Sequence, residues 1–192
     1  MRIERSARVD GLLFVAAMAT LMWLSEILDA ILPANLDAYG IAPRSDEGLT
    51  GVLLSPFLHG GFGHLISNTV PFLAMGAVIA LGGLRRVLAV TAIVAAISGA
   101  GTWLIAPAAT VHIGASGVVF GYAAYLLVRG LFSRDLVHLG VGLIVGAAWG
   151  GALLSSLLPQ EGISWQGHLF GAVGGVVAAR VLARARRGAP PV

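Results

Sequence analysis

The sequence predicts an all-α polytopic membrane protein, a bundle of six transmembrane helices. Three observations carry this expectation. The 192 residues are 57% apolar and only 11% charged, with a mean hydropathy of +0.89, whereas a soluble domain carries about 25% charge. Six apolar stretches approach or exceed the roughly 18 residues that mark a membrane span. Finally, the arginines fall in the joints between these stretches, as topology signals do.

The elements follow in order. Arg2, Arg5 and Arg8 lie in a short N-terminal segment, residues 1–10, ahead of a first span from Leu12 to Leu32. That run is too long for a cleaved signal peptide and lacks a small-residue cleavage site, so it is read as a span. Glu26 and Asp29, three apart, share a face at its far end and are expected at the outer interface or sealing the span against the next loop. A polar stretch from Pro33 to Ser55 holds Asp37, Arg44, Asp46 and Glu47, and its Leu49, Val52, Leu53 and Leu54 suggest a short interfacial helix. Span two runs from Phe62 to Leu81, closed by Gly82-Gly83 and Arg85-Arg86. Span three is Val87 to Ala106, stopped by Pro107. Span four is Gly114 to Val128, followed by Arg129 and Arg134. Span five is Leu136 to Leu158, stopped by Pro159. Span six is Trp165 to Leu182, leading into a short basic tail, 184–192. The membrane domain is thus expected over residues 11–183.

Six spans put both termini on one side, and eleven of the twelve arginines then fall there, leaving Arg44 opposite. By the positive-inside rule that side is cytoplasmic. The absence of cysteine excludes disulfides, a thiol nucleophile and thiolate metal sites. The basic pI of about 10.2 does not imply a nucleic-acid partner, because the arginines do not gather on one domain. No internal repeat supports an inverted-repeat transporter.

This orientation brings a set of polar residues to one level. The even-numbered spans start outside, and each carries polar side chains just within its outer end. His64 and Asn68, four apart, share a face of span two. Ser116 opens span four, and His168 lies near the start of span six. Each of Asn68, Ser116 and His168 is 12–14 residues from the inner end of its span, or roughly 18–21 Å of helix, so the three share a depth. Polar side chains there are expected to face the bundle interior or a wet cavity.

Small residues support close approach. Gly117 and Gly121 repeat at four-residue spacing on span four, as do Gly167, Gly171 and Gly175 on span six, and Gly114 precedes Ser116. A Ser116–His168 hydrogen bond is therefore expected, with Ser116 as nucleophile and His168 as base. The Asn68 amide, the His64 ring N–H and the Ser116 backbone N–H are candidate oxyanion donors. No carboxylate is placed to complete a triad, since Glu161 lies in a loop. The plain alternatives are a packing serine, interior histidines and Asn68 as interhelical glue. A metal site from His59, His64 and His168 lacks a carboxylate at ligand spacing, and no metal or cofactor is expected. A pore is disfavoured because Gly117 to Ala124 offers no continuous polar path. His59 and His112 are expected to have structural roles beside the outer loops, His138 lies at the far end, and Tyr125 and Trp149 are ordinary span residues.

Three motifs now resemble the rhomboid family of intramembrane serine proteases. They are His59-xxxx-His64-xxx-Asn68, Gly114-Ala115-Ser116-Gly117 and His168-xx-Gly171-xxx-Gly175, in family order and spacing. The resemblance covers approximately residues 11–183. It implies a rhomboid-like bundle in a bacterial plasma membrane, with its active site open to the outer face. It also implies cleavage of transmembrane protein substrates in or near their spans, through an acyl-enzyme and without cofactor. By this resemblance Ser116 and His168 are the dyad, and His64 and Asn68 are the oxyanion side chains. Phe120 stands where some members carry a tyrosine against the catalytic histidine. The first loop lacks the Trp-Arg pair of many members. The rival reading is a catalytically silent member that binds membrane proteins, whose hallmark, a missing serine or histidine, is not found.

Overall fold

The computed structural model describes residues 2–187, with side chains from 6 to 183. The end of the expected basic tail, 188–192, lies outside the described residues. Seven helices follow in order: α1 (Arg2–Ile31), α2 (Asp46–Leu54), α3 (Phe62–Ala80), α4 (Leu84–Ile105), α5 (Ser116–Ser133), α6 (Leu136–Ser155) and α7 (Trp165–Arg187). All except α2 are long and apolar enough to cross a membrane. Among the described residues there are no strands, only one antiparallel bridge between Ile41 and His112. The protein is an all-α, multi-pass membrane protein.

The ends of the elements follow local chemistry. The span expected from Leu12 is the apolar part of a longer helix that starts at Arg2. Arg85 and Arg86, expected in a joint, lie in the first turn of α4, because Gly83 turns the chain with φ +92° just before it. Gly114, expected inside span four, precedes α5 with φ +110°, a conformation that favours glycine. Span five ends at Ser155 rather than Leu158.

The expected short helix in the first loop is α2, capped by Ser45 Oγ, which accepts the Gly48 N–H at 3.0 Å. Gly48 and Gly51 are buried, and a methyl group on either would meet the backbone of Ala42 or Gly40 at about 2 Å. The loop is held to the end of α4: Trp103 Nε1 donates to Ser45 O at 2.9 Å, and Arg44 Nη1 donates to Leu104 O at 2.9 Å. The loop's arginine therefore docks beside a tryptophan from α4, where the loop itself offers none.

α5 is the central element. Half of its span is buried, against 11% for α6, which packs mainly on α5 and turns Leu143, Ile144 and Leu154 outward. α5 meets α7 at near-backbone contact. A methyl on Gly171 would fall 2.1 Å from Gly117 O, and one on Gly175 would fall 2.1 Å from Gly121 O. These glycines let the two helices approach, so that residues at the starts of both can touch.

Candidate active site

Ser116 is the first residue of α5, and the turn before it is pinned from one side. The Gly114 N–H donates to Ser55 O at 2.8 Å, and the Ala115 N–H donates to His59 Nε2 at 3.3 Å. His59 is fully enclosed, and burial pushes it down to about 4. It stays neutral near pH 7 and can accept that bond. Its ring also meets His64 edge-on at 5.1 Å. The structural role expected for His59 thus has a specific content: it helps set the turn that presents Ser116.

His168 is the fourth residue of α7. Its Nε2 lies 2.8 Å from Ser116 Oγ, and its Nδ1 lies 2.8 Å from Ser156 O just past the end of α6. A carbonyl oxygen can only accept, so Nδ1 carries the proton and the neutral ring turns its Nε2 lone pair to the serine hydroxyl. Phe120, one turn along α5 from Ser116, stacks on the His168 ring with centroids 4.1 Å apart and planes 5° apart. Ser98 of α4 donates to Gly167 O at 2.8 Å, holding the adjacent backbone.

His64 and Asn68 lie one turn apart on α3 and face the same turn of chain. A methyl built on Gly114 would sit 2.7 Å from His64 Nε2 and 3.7 Å from Asn68 Nδ2. Both side-chain nitrogens therefore flank the backbone beside Ser116. His64 Nδ1 accepts from the Gly60 N–H at 3.4 Å, which leaves the proton on Nε2, toward Gly114. The buried Asn68 donates to His64 O at 3.1 Å within its own helix.

Ser116 and His64 line a cleft of about 810 Å³ together with His112, Ser164 and Gln166. A recess of about 30 Å³ also borders Ser116, bounded by Ser98, Thr102, Gly114 and Gly167. The sequence-predicted residues Ser116, His168, His64 and Asn68 are thus brought to one place. Of the small residues, Gly117, Gly121, Gly171 and Gly175 lie in the α5–α7 contact. Gly114 does not; it makes a turn, and its missing side chain leaves room for His64. Tyr125 and His138 lie near Arg86 and Arg129 at the opposite end of the bundle. Glu26 is buried near the end of α1, and Asp29 accepts the Leu36 N–H, which fastens α1 to the first loop.

Sequence reasoning missed Ser156, Ser164 and the reach of His112. Ser156 acts through its backbone oxygen, which leaves no mark in a sequence. His112 and Ser164 stand four residues ahead of Ser116 and His168, a spacing that could have been noticed.

Comparison with known proteins identifies the family. Residues 46–185 match the Rhomboid domain. The chain is 43% identical to an uncharacterized protein of Mycobacterium tuberculosis over 96% of its own length and 80% of that protein's. It is 42% identical to an uncharacterized protein of Mycobacterium leprae over 93% and 74%. A Bacillus subtilis protein carrying the name "Putative rhomboid protease YdcA" is 30% identical over 84% of this chain and 83% of its own. On the extent of the domain match and of these relatives, the chain belongs to the rhomboid family.

Proposed function

We propose that this protein is an intramembrane serine endopeptidase that cuts single-span membrane proteins in or beside their transmembrane segment. The observation that carries the reading is the 2.8 Å hydrogen bond between Ser116 Oγ and His168 Nε2, with His64 and Asn68 beside the same turn. Ser116 Oγ attacks the scissile carbonyl carbon as its proton passes to His168 Nε2. The oxyanion is met by the Ser116 N–H, Asn68 Nδ2–H and His64 Nε2–H. The C–N bond then breaks, and His168 returns its proton to the leaving amine. Water, deprotonated by His168, releases the acyl group and restores Ser116. No cofactor enters this sequence of steps.

The small recess beside Ser116 favours a small residue at the scissile position. In this reading residues 11–183 form the protease domain, 1–10 and the 184–192 tail are cytoplasmic, and the cleft opens to the outer face of a bacterial plasma membrane. The arginines at the opposite end of the bundle support that orientation.

Cleavage of a single-span reporter in liposomes tests the reading. Wild type is expected to yield product, and Ser116→Ala and His168→Ala to yield none. Equal product from all three would overturn it. A wild type that neither cleaves nor takes a fluorophosphonate label at Ser116 would favour a silent binder of membrane proteins.

A further inference from the structure

We propose that His112 is a positioning residue: through Ser164 it sets the first turn of α7 and thereby the place of His168 against Ser116. This inference rests on the protease reading above.

The proton positions around His112 follow from donor and acceptor rules. Thr110 Oγ1–H donates to Pro107 O at 2.6 Å, so its one proton is committed. The same oxygen lies 2.8 Å from His112 Nε2 and must accept there, which puts the ring proton on Nε2. The neutral ring then presents a lone pair at Nδ1, 2.8 Å from Ser164 Oγ, and Ser164 donates. Burial lowers the His112 pKa and keeps this neutral form. Ser164 Oγ in turn accepts the Gly167 N–H at 3.3 Å, an N-cap bond, while Ser164 O accepts the His168 N–H at 3.1 Å. The hydrogen bonds thus run in one direction from the start of α7 into the loop before Ser116.

The backbone of His112 is itself held. It exchanges hydrogen bonds with Ile41 at 2.9 and 3.0 Å, which ties it to the first loop. The His112–Ser164 and Ser116–His168 bonds each span 52 residues. They are two rungs between the same two segments, four residues apart. The segment before α7 is otherwise an exposed turn, with Gly162 at φ +73°. The outer rung fixes where that turn ends and α7 begins, and the inner rung inherits the geometry.

The test measures the rate at which a fluorophosphonate labels Ser116 in detergent, alongside reporter kcat and KM and the thermal midpoint. Labelling forms the P–Oγ bond, expels fluoride and passes the serine proton to His168, so the rate reads the inner rung. His112→Ala and Ser164→Ala are each expected to slow labelling by about tenfold and to lower kcat more than KM changes, because small misplacements at a reacting centre are costly. The double variant is expected to be no slower than the slower single, since the two act through one bond. His112→Asn puts an acceptor near the Nδ1 position and is expected to restore the rate to within about threefold of wild type, whereas His112→Gln reaches toward Nε2 and is not. That difference survives even if the alanine variants fold poorly. A His112→Ala rate within twofold of wild type, equal rescue by Asn and Gln, or losses that multiply in the double variant would each overturn the proposal. A wild type that takes no label removes the protease reading and the positioning role with it. A labelled wild type with an unaffected His112→Ala removes the positioning role alone.

Discussion

His168 donates its Nδ1–H to the backbone carbonyl oxygen of Ser156, 2.8 Å away, and so turns its lone pair to Ser116. A backbone carbonyl here does the orienting work that a carboxylate does in a triad. The residue that ends α6 would therefore bear on the proposed chemistry through its main chain. Substitutions that keep the main chain should be tolerated. Ser156→Ala and Glu161→Gln are each expected to keep reporter kcat within about twofold of wild type, as side-chain changes away from a bonded group do. A loss of a hundredfold in Glu161→Gln would mean that a carboxylate takes part.

Oxyanion stabilisation should be separable from proton transfer. Asn68→Ala and His64→Ala are expected to lower kcat by about 10²–10³ each, while leaving the Ser116–His168 hydrogen bond in place. KM should change little, because the lost bonds form mainly in the transition state. Unchanged kcat in Asn68→Ala would remove that side chain from the proposed site.

The α5–α7 contact should be intolerant of a single methyl group. Gly171 faces Gly117 O and Gly175 faces Gly121 O, so the obstacle in each case is backbone and cannot rotate away. Gly171→Ala is expected to cost at least about 1–3 kcal/mol, the range for overpacking a close-packed interior. Gly150→Ala on α6, where a methyl would meet nothing within 4 Å, serves as the control. Denaturant unfolding in detergent micelles compares the two, and equal midpoints would refute the close-contact account.

His59 should make stability fall on the acid side. Its pKa is depressed from 6.5 to about 4 by burial, with His64 nearby adding to the effect. The unfolded chain therefore takes up this proton as the pH drops below 6.5, while the folded chain does not. The stabilisation is complete above 6.5 and lost progressively toward 4, by an amount on the order of 3 kcal/mol. His112, also lowered by burial, acts in the same direction. Asp37, raised by burial and by Asp29, acts in the opposite one. Comparing wild type with His59→Gln isolates the first group. The drop in thermal midpoint between pH 7.5 and pH 5 is expected to be smaller in His59→Gln, and an equal drop would place the acid sensitivity elsewhere.

Much of this arrangement is legible in the sequence. Hydropathy marks the spans because a bilayer demands long apolar helices with every backbone group bonded internally. Ser116, His168, His64 and Asn68 stand out because polar groups at span depth are costly and rarely without purpose. Gly117, Gly121, Gly171 and Gly175 announce close helices by their spacing. Gly114, grouped with the packing glycines by residue type, makes a turn instead, since residue type does not distinguish a packing glycine from one with positive φ. The joints were also imprecise: Arg85 and Arg86 belong to α4, because a helix can begin on polar residues once Gly83 has turned the chain.

The sequence by itself determined that this chain crosses a membrane six times and which polar residues share a level within it. Hydropathy and four-residue spacing are local properties, and both survive in one dimension. The tertiary structure alone decided what each of those residues touches. Ser156 O orients His168, His59 and Ser55 pin the turn before Ser116, and His112 reaches Ser164 across 52 positions. Each of these is a hydrogen bond of about 3 Å between segments at least 12 positions apart in the chain. Such a bond depends on where backbone atoms come to rest, which packing decides and no residue type encodes.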